Sequence, residues 1–319
     1  MINKIRFVVS HAPFWHDGER INIKHINIIL VCLIASIPGI NTYGMPAVGV
    51  ITLAMATAMG WELLLNFITK RPVTIGDGNA ALIGLLFAML CPATMPWWAI
   101  ITGTFVAIVI GQQIFGGIGA NPFNPTLVGI AILVISWSVL FDFEYALENY
   151  DTNFVMAYPL TTLKYFGVSQ MDVFNLQDLF MGKQAGGIGA TCGILLIVGG
   201  IYLIIRGFIR WEISVSFILG ILITAYIFNL CAPDKYANPL IHLLTGYTLI
   251  GAFFLATEDS SSPVNFIPML IYGAGCGIMT ILIRNIGAYE DGVVFAILLM
   301  NLVNPLIDKI RPKAMGKVV

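Results

Sequence analysis

Charge is scarce in this sequence. Lysine and arginine together number 16 and aspartate and glutamate 17 among 319 residues, or 10%, where a soluble domain carries about 25%. So few charges, gathered in a few clusters, cannot clothe a water-soluble surface of this size, and a soluble globular fold is excluded. No basic stripe exists, which removes nucleic acid as a partner. Cysteine is sparse as well: Cys32, Cys91, Cys192, Cys231 and Cys276 lie far apart with no CxxC pair. A metal or iron–sulfur centre built by this chain alone is therefore not expected, and the thiols read as small apolar fillers. The first 27 residues, MINKIRFVVSHAPFWHDGERINIKHIN, lack an unbroken apolar run ending in a small-residue cleavage site. They read as a cytoplasmic lead-in and not as a signal peptide.

What is abundant is apolar text: 58% of residues are hydrophobic and the mean hydropathy is +0.88. A membrane-crossing helix needs about 20 mostly apolar residues. Ten candidates fit, at 26–42, 46–68, 79–91, 97–114, 124–141, 186–205, 212–231, 240–257, 264–283 and 292–307. The third is short, ends at Cys91-Pro92 and reads as a broken or re-entrant helix. The predicted fold is an all-α polytopic membrane protein. Twelve of the sixteen basic residues then fall on the face that holds both termini, and Lys164, Lys183, Lys235 and Arg284 fall on the other. Basic residues mark the cytoplasmic side, so both termini are expected in the cytoplasm, with the chain in the cell membrane and lipid around it. The organisation expected is a cytoplasmic segment at 1–25, a first membrane repeat at 26–141, an acidic extracytoplasmic loop at 142–185, a second repeat at 186–307 and a tail at 308–319.

The repeats are read from faint internal similarity. ALIGLLFA at 81–88 returns as TLIGAFFL at 248–255, and GIGA at 117–120 as NIGA at 285–288, at nearly equal offsets. Five spans per half make the second copy enter from the other side, so the repeats are inverted, an arrangement that places ligand sites where broken helices of both halves meet. The polar interruptions sit at 91–92 and 116–125 in the first half, and at 257–263 and 285–292 in the second.

Irregular backbone survives at membrane depth only when it is buried in protein or lines a cavity. Asn121 and Asn124 stand three residues apart on a turn with Gly117 and Gly119. Each amide offers an acceptor and two donors, a set that suits a planar heterocycle, and the glycines allow close approach. The same residues equally suit a helix–helix turn that caps its own ends.

The run GQQIFGGIGANPFNP at 111–125 resembles the signature of the RnfD family, membrane components of the Rnf ion-translocating electron-transfer complex. That family is related to the NqrB component of the sodium-pumping NADH:quinone oxidoreductase. The similarity extends to DGNAALIG at 77–84, IHLLTG at 241–246, GAFF at 251–254 and DGVVFAILL at 291–299. It implies that Asn121 and Asn124 lie in a flavin-binding region, with riboflavin or FMN held without a covalent bond. It further implies a role in passing electrons from ferredoxin or NAD(H) while Na+ or H+ moves, within a complex whose other subunits are A, B, C, E and G.

Two departures from the family pattern matter. Relatives with covalent FMN attach it to the threonine of a Ser-x-Ala-Thr-Pro-Leu stretch, and here VMAYPL at 155–160 puts Tyr158 in that place. No phosphothreonyl bond can form there, and Thr161, Thr162 and Thr191 lie outside the attachment pattern. Tyr158 is left as a stacking partner or an interface anchor. The second departure is ATEDSSSP at 256–263, where Glu258 replaces a lone aspartate and Asp259 is added. Glu258 and Asp77, which opens the third span, are candidates for a flavin contact or an ion path; Asp77 also suits a plain helix cap.

Outside the motifs, Glu62 is the one acid well inside a predicted span, two turns from Lys70, and either handles ions or reaches the interface. His242 reads as a satisfied histidine, and Trp97, Trp98 and Trp211 as interface belt residues. A channel or carrier for a small polar solute fits the same fold, as does a structural assembly subunit. With tyrosine at 158, no covalent flavin is expected on this chain. On a denaturing gel this subunit shows no flavin fluorescence, and a fluorescent band at its mass contradicts the reading.

Overall fold

The computed structural model describes residues 21–145 and 154–310. The terminal segments lie outside them, including Lys4, Arg6, Arg20, Arg311, Lys313 and Lys317 of the charge argument. So do Glu148 and Asp151 of the acidic loop. The described residues form helices and no strand. In order these are α1 (Ile21–Tyr43), α2 (Met45–Ile68), α3 (Asn79–Leu90), α4 (Trp97–Phe105) and α5 (Pro125–Ser136). After them come α6 (Pro159–Phe166), α7 (Leu176–Met181), α8 (Gly193–Ile205), α9 (Trp211–Cys231), α10 (Pro239–Leu244), α11 (Thr248–Ile250), α12 (Phe266–Asn285) and α13 (Val293–Ile307). Two of them run on into a five-residue π turn: α4 through Val106–Ile110 and α11 through Gly251–Leu255. Among the described residues, five helices are long and apolar enough to cross a membrane, and four more are apolar but shorter. The chain is an all-helical polytopic membrane protein.

Three spans differ from expectation. The segment at 240–257 is not one helix but α10, a bend at Thr245-Gly246, then α11 and its π turn. Gly246, at φ 65°, supplies a left-handed backbone at that bend. The segment at 186–205 becomes helical only at Gly193. Before that, 186–192 lies as irregular chain against the end of α3, with the Ile188 N–H donating to Cys91 O at 3.1 Å and the Gly189 N–H to Met89 O at 3.0 Å. A Cβ on Gly187 would stand 2.6 Å from Met89 O, so only glycine lets the two backbones meet. The fifth span ends at Ser136 and finishes as a 3₁₀ turn, Ser138–Phe141.

Packing repeats across the halves. Counting spans within each half, the first packs on the third, the second on the third and fourth, and the fifth on the third and fourth. The same five pairs occur among α1–α5 and among α8–α13. Across the halves, α1 meets α8 and α5 meets α13. Like elements meeting each other is what a twofold relation demands.

Small residues set the closest approaches, as between membrane helices generally. On α12, Gly273 and Gly277 face α9: a Cβ on Gly277 would lie 2.4 Å from Phe217 O and 2.7 Å from Ile221 N. On α3, a Cβ on Gly84 would stand 2.6 Å from Ala54 O of α2. Gly277→Leu is therefore expected to separate α9 from α12 and destabilise the chain by about 1–3 kcal/mol. Gly60→Leu, at a glycine with nothing within 4 Å, is expected to stay within about 0.5 kcal/mol of the parent. Thermal unfolding in detergent checks both, and equal midpoints contradict the packing account.

Candidate functional site

Both π turns lead into polar breaks, a placement common to π bulges at functional positions. After the first, Gly111 closes the turn onto Val106 O at 2.8 Å and the chain wanders to Asn124. Gly116, Gly117 and Gly119 take φ of 122°, 100° and 87°, a left-handed backbone that side chains resist. Asn124 caps α5: its Oδ1 accepts from the Leu127 N–H at 3.2 Å, and Pro125 occupies the first helical position. Its Nδ2 donates to Leu255 O at 2.9 Å, at the end of the second π turn. Asn121 Nδ2 donates to Phe123 O at 3.0 Å and to the Glu258 carboxylate at 3.1 Å. The other Glu258 oxygen accepts from the Ser261 N–H at 2.9 Å. The two asparagines tie the break of one half to the break of the other.

Where the breaks meet lies a cavity of about 200 Å³. Gly119, Asn124 and Glu258 line it, as do three residues that sequence reasoning did not single out: His25, Asn79 and Gln112. Apolar walls come from Ile28, Leu82, Leu86 and Phe254. Lys24 and Asp259, ion-paired, stand at its edge. Asp77 is outside the lining and acts through its neighbours: its Oδ1 accepts from the Asn79 N–H at 2.9 Å and its carbonyl lies 2.8 Å from His25 Nδ1. Gly117 is buried in the turn and does not reach the cavity.

The hydrogen-bond ledger of this cavity does not close. Asn79 Nδ2 is buried with no partner among the described residues; Asn121 Oδ1 is also buried and unpartnered among them, but Asn121 does not line the cavity and sits behind it. Gln112 is 3% exposed, and its side-chain amide makes no hydrogen bond within the described chain. Native interiors rarely leave such groups unmet, and each needs an explanation. Gln112 carries a legible signal, an amide ending an apolar span; Asn79 has only its place two residues after Asp77, and His25 has none, since only the fold brings it to the Asp77 carbonyl.

Tyr158 lies elsewhere. It precedes α6, its N–H donates to Glu144 Oε1 at 3.0 Å, and its ring packs on Phe143 at 5.0 Å. It lines a second cavity of about 630 Å³, with Tyr247, Glu290 and Asp291. Burial, with the Asp291 charge second, holds its hydroxyl well above the usual tyrosine range. The Thr161 hydroxyl donates to Glu290 at 2.8 Å and that of Thr162 to Tyr158 O at 3.1 Å. Glu62 is buried, 2% exposed: it accepts from the Thr74 hydroxyl in the connection after α2, and its second oxygen is buried without a partner among the described residues.

Beneath the second cavity, Arg284 and Asp291 form a buried ion pair at 2.9 Å. Arg284 also donates to His242 O at 2.7 Å and Thr248 Oγ1 at 2.8 Å. Asp291 accepts from the Tyr247 N–H at 2.6 Å and caps α13 through the Val293 N–H at 3.1 Å. His242 is satisfied through its carbonyl only; both ring nitrogens are buried without a partner among the described residues. Arg284→Leu would strand the Asp291 charge and is expected to cost about 3–5 kcal/mol, with Arg284→Leu/Asp291→Leu costing clearly less. Thermal unfolding of both variants checks this; equal losses contradict it.

Comparison with known proteins adds to this geometry. The family model described as NQR2, RnfD, RnfE matches residues 8–316. The chain is 33% identical to the D-type subunit of the ion-translocating oxidoreductase complex of Pectobacterium atrosepticum, over 97% of this chain and 99% of the other. It is 35% identical to the D-type subunit of the proton-translocating ferredoxin:NAD(+) oxidoreductase complex of Clostridium ljungdahlii, over 97% and 95%. It is 33% identical to the D-type subunit of the Na(+)-translocating counterpart of Acetobacterium woodii, over 97% and 94%.

Proposed function

Because the chain belongs to the NQR2, RnfD, RnfE family, we propose that it is the RnfD component of an ion-translocating electron-transfer complex and that it holds a flavin in the cavity between its two broken helices. The other subunits are its partners and the lipid bilayer its surroundings. Proton- and sodium-translocating relatives match it about equally, so their similarity does not choose the ion.

The single observation that carries the flavin reading is a pair of amides on the wall of one cavity with apolar sides: Asn79, whose Nδ2 is buried without a partner among the described residues, and Gln112, whose side chain makes no hydrogen bond within the described chain. A ring system with a polar edge of alternating donors and acceptors answers such a set, and apolar faces answer Leu82, Leu86 and Phe254. The volume lies below the ~300–1,000 Å³ of typical small-molecule sites, which suits a flat ring inside with any polar tail at the mouth, beside Lys24 and Asp259. When bound, a flavin supplies the redox chemistry, and the protein supplies position and electrostatics. Asn124 and Asn121 hold the two breaks at fixed spacing, so the walls are set before any ligand arrives. Gln112 and Asn79 read the ring edge. Glu258, fixed by Ser261 and Asn121, places negative charge at one end of the cavity. The cavity opens beside Lys24 and the connection holding Arg206 and Arg210, the basic and so cytoplasmic face. A solute carrier of the same fold would not need amides held for a planar ring.

The complex purified intact is expected to carry about one riboflavin or FMN released from this subunit. Gln112→Leu, which removes no protein hydrogen bond, should weaken flavin retention roughly tenfold, about 1.4 kcal/mol. Asn121→Leu/Asn124→Leu should abolish retention and also loosen α5. Colourless parent complex, or a Gln112→Leu variant as yellow as the parent, overturns the reading.

A further inference from the structure

The larger cavity, about 630 Å³ on the face opposite the flavin cavity, is lined by four carboxylates: Asp142, Glu144, Glu290 and Asp291. They come from three places in the chain: the end of the fifth span, the loop after it and the break before α13. Each is held on one side by a protein donor. Asp142 Oδ1 accepts from the Glu144 and Tyr145 N–H groups at 3.0 and 3.1 Å. Glu144 Oε1 accepts from the Tyr158 N–H at 3.0 Å, and Glu290 Oε2 from the Thr161 hydroxyl at 2.8 Å. Asp142 Oδ2, Glu144 Oε2 and Glu290 Oε1 are left with no protein partner among the described residues.

No cation in the lining balances them. Arg284 is consumed by Asp291 and two carbonyls. Lys164 donates to the carbonyls of Gly287 and Tyr289 and does not line the cavity. A second observation points the same way. Tyr158 is 3% exposed and lines this cavity, yet its hydroxyl makes no hydrogen bond within the described chain. Burial, reinforced by Glu144 and Asp142, raises the Glu290 carboxyl above its ordinary range, against the opposing pull of Thr161 and Lys164.

We propose that this cavity is a site for a small inorganic cation, which enters with water and is held by Asp142, Glu144, Glu290 and the Tyr158 hydroxyl. All its free ligands are oxygens, the donors hard cations choose. Among the described residues no three acids stand close enough to chelate a bare ion, so the cation keeps part of its water. Clefts lined by one sign of charge raise the local concentration of counter-ions. The same charges repel a phosphate, so the cavity does not fit a phosphorylated flavin even though Tyr158 occupies the position of the family's attachment residue. The proposal rests on the reading of the chain as part of an ion-translocating complex, and it gives that complex an ion-binding vestibule within this subunit.

Terbium(III) is the probe, because tyrosines beside a bound ion sensitise its emission, and Tyr158, Tyr165, Tyr247 and Tyr289 line this cavity. The intact complex in a non-ionic detergent is titrated with Tb3+, and flavin content is measured on the same samples. The expected result is saturable emission, displaced by Na+ or Mg2+ and not by tetramethylammonium. It should weaken at least tenfold in Asp142→Asn/Glu144→Gln/Glu290→Gln and stay unchanged in Asp178→Asn, a half-buried acid on α7 that pairs with Lys183 and does not line the cavity. Unchanged Tb3+ binding in the triple variant with flavin retained overturns the cation site and leaves the cofactor reading standing. Displacement by tetramethylammonium as strong as by Na+ overturns it too. Tb3+ binding as expected in a parent complex that lacks flavin supports the cation site and sinks the cofactor reading alone.

Discussion

A chain surrounded by hydrocarbon must satisfy its own backbone, because lipid offers no hydrogen bonds. Wherever a helix breaks, the freed groups have to find partners inside the protein. In this structure the breaks satisfy one another. The Asn124 amide spans from the start of α5 to Leu255 O at the end of the other half's π turn, and Asn121 reaches Glu258. The same device recurs on the opposite face, where Asp291 opens α13 and accepts from Arg284 and the Tyr247 backbone. Two helix starts, one in each half, are thus pinned by polar side chains at corresponding positions, and a cavity lies beside each.

Twofold-like packing turns that local need into a site. Like elements meet across the halves, so the breaks of one half are carried to those of the other without any long connection. Close approach is granted by glycine: Gly84 against α2, Gly277 and Gly220 between α9 and α12, Gly187 against Met89 O. The scaffold is rigid where these backbones touch, and the polar residues inherit their spacing from it. The two cavities differ in chemistry. One combines amides with apolar walls; the other combines carboxylates with tyrosines. The ligands proposed for them, a ring with a polar edge and a hydrated cation, differ accordingly.

How much of this could be read beforehand varied with the kind of signal. Long apolar runs placed α2, α9 and α12 within two residues, since hydropathy depends on composition alone. The interior of 240–257 was not legible, because the bend at Thr245-Gly246 is fixed by tertiary contacts of Arg284 and Asp291, which apolar periodicity does not record. Gly193 was missed as the true start of α8 for a similar reason: the loop before it is held by the backbone of α3. Of the residues legible as a site, Gly119, Asn124 and Glu258 line one cavity, and Gly117 and Asn121 do not. Asp77, legible either as a site residue or as a helix start, lies outside the lining, and its carboxylate accepts from the Asn79 N–H where α3 begins. Tyr158, a candidate contact from its place in the long loop, lines the second cavity and not the first. His25 and Gln112 come from segments far apart in sequence, and only the fold brings them together.

The central claim is that the two breaks together hold an isoalloxazine ring, and a density map of the pigmented complex tests it most directly. The account predicts flat tricyclic density between Leu82, Leu86 and Phe254, with its polar edge within hydrogen-bond distance of Gln112 and Asn79. Solvent or side chains alone in that cavity, with the pigment bound somewhere else, would contradict it.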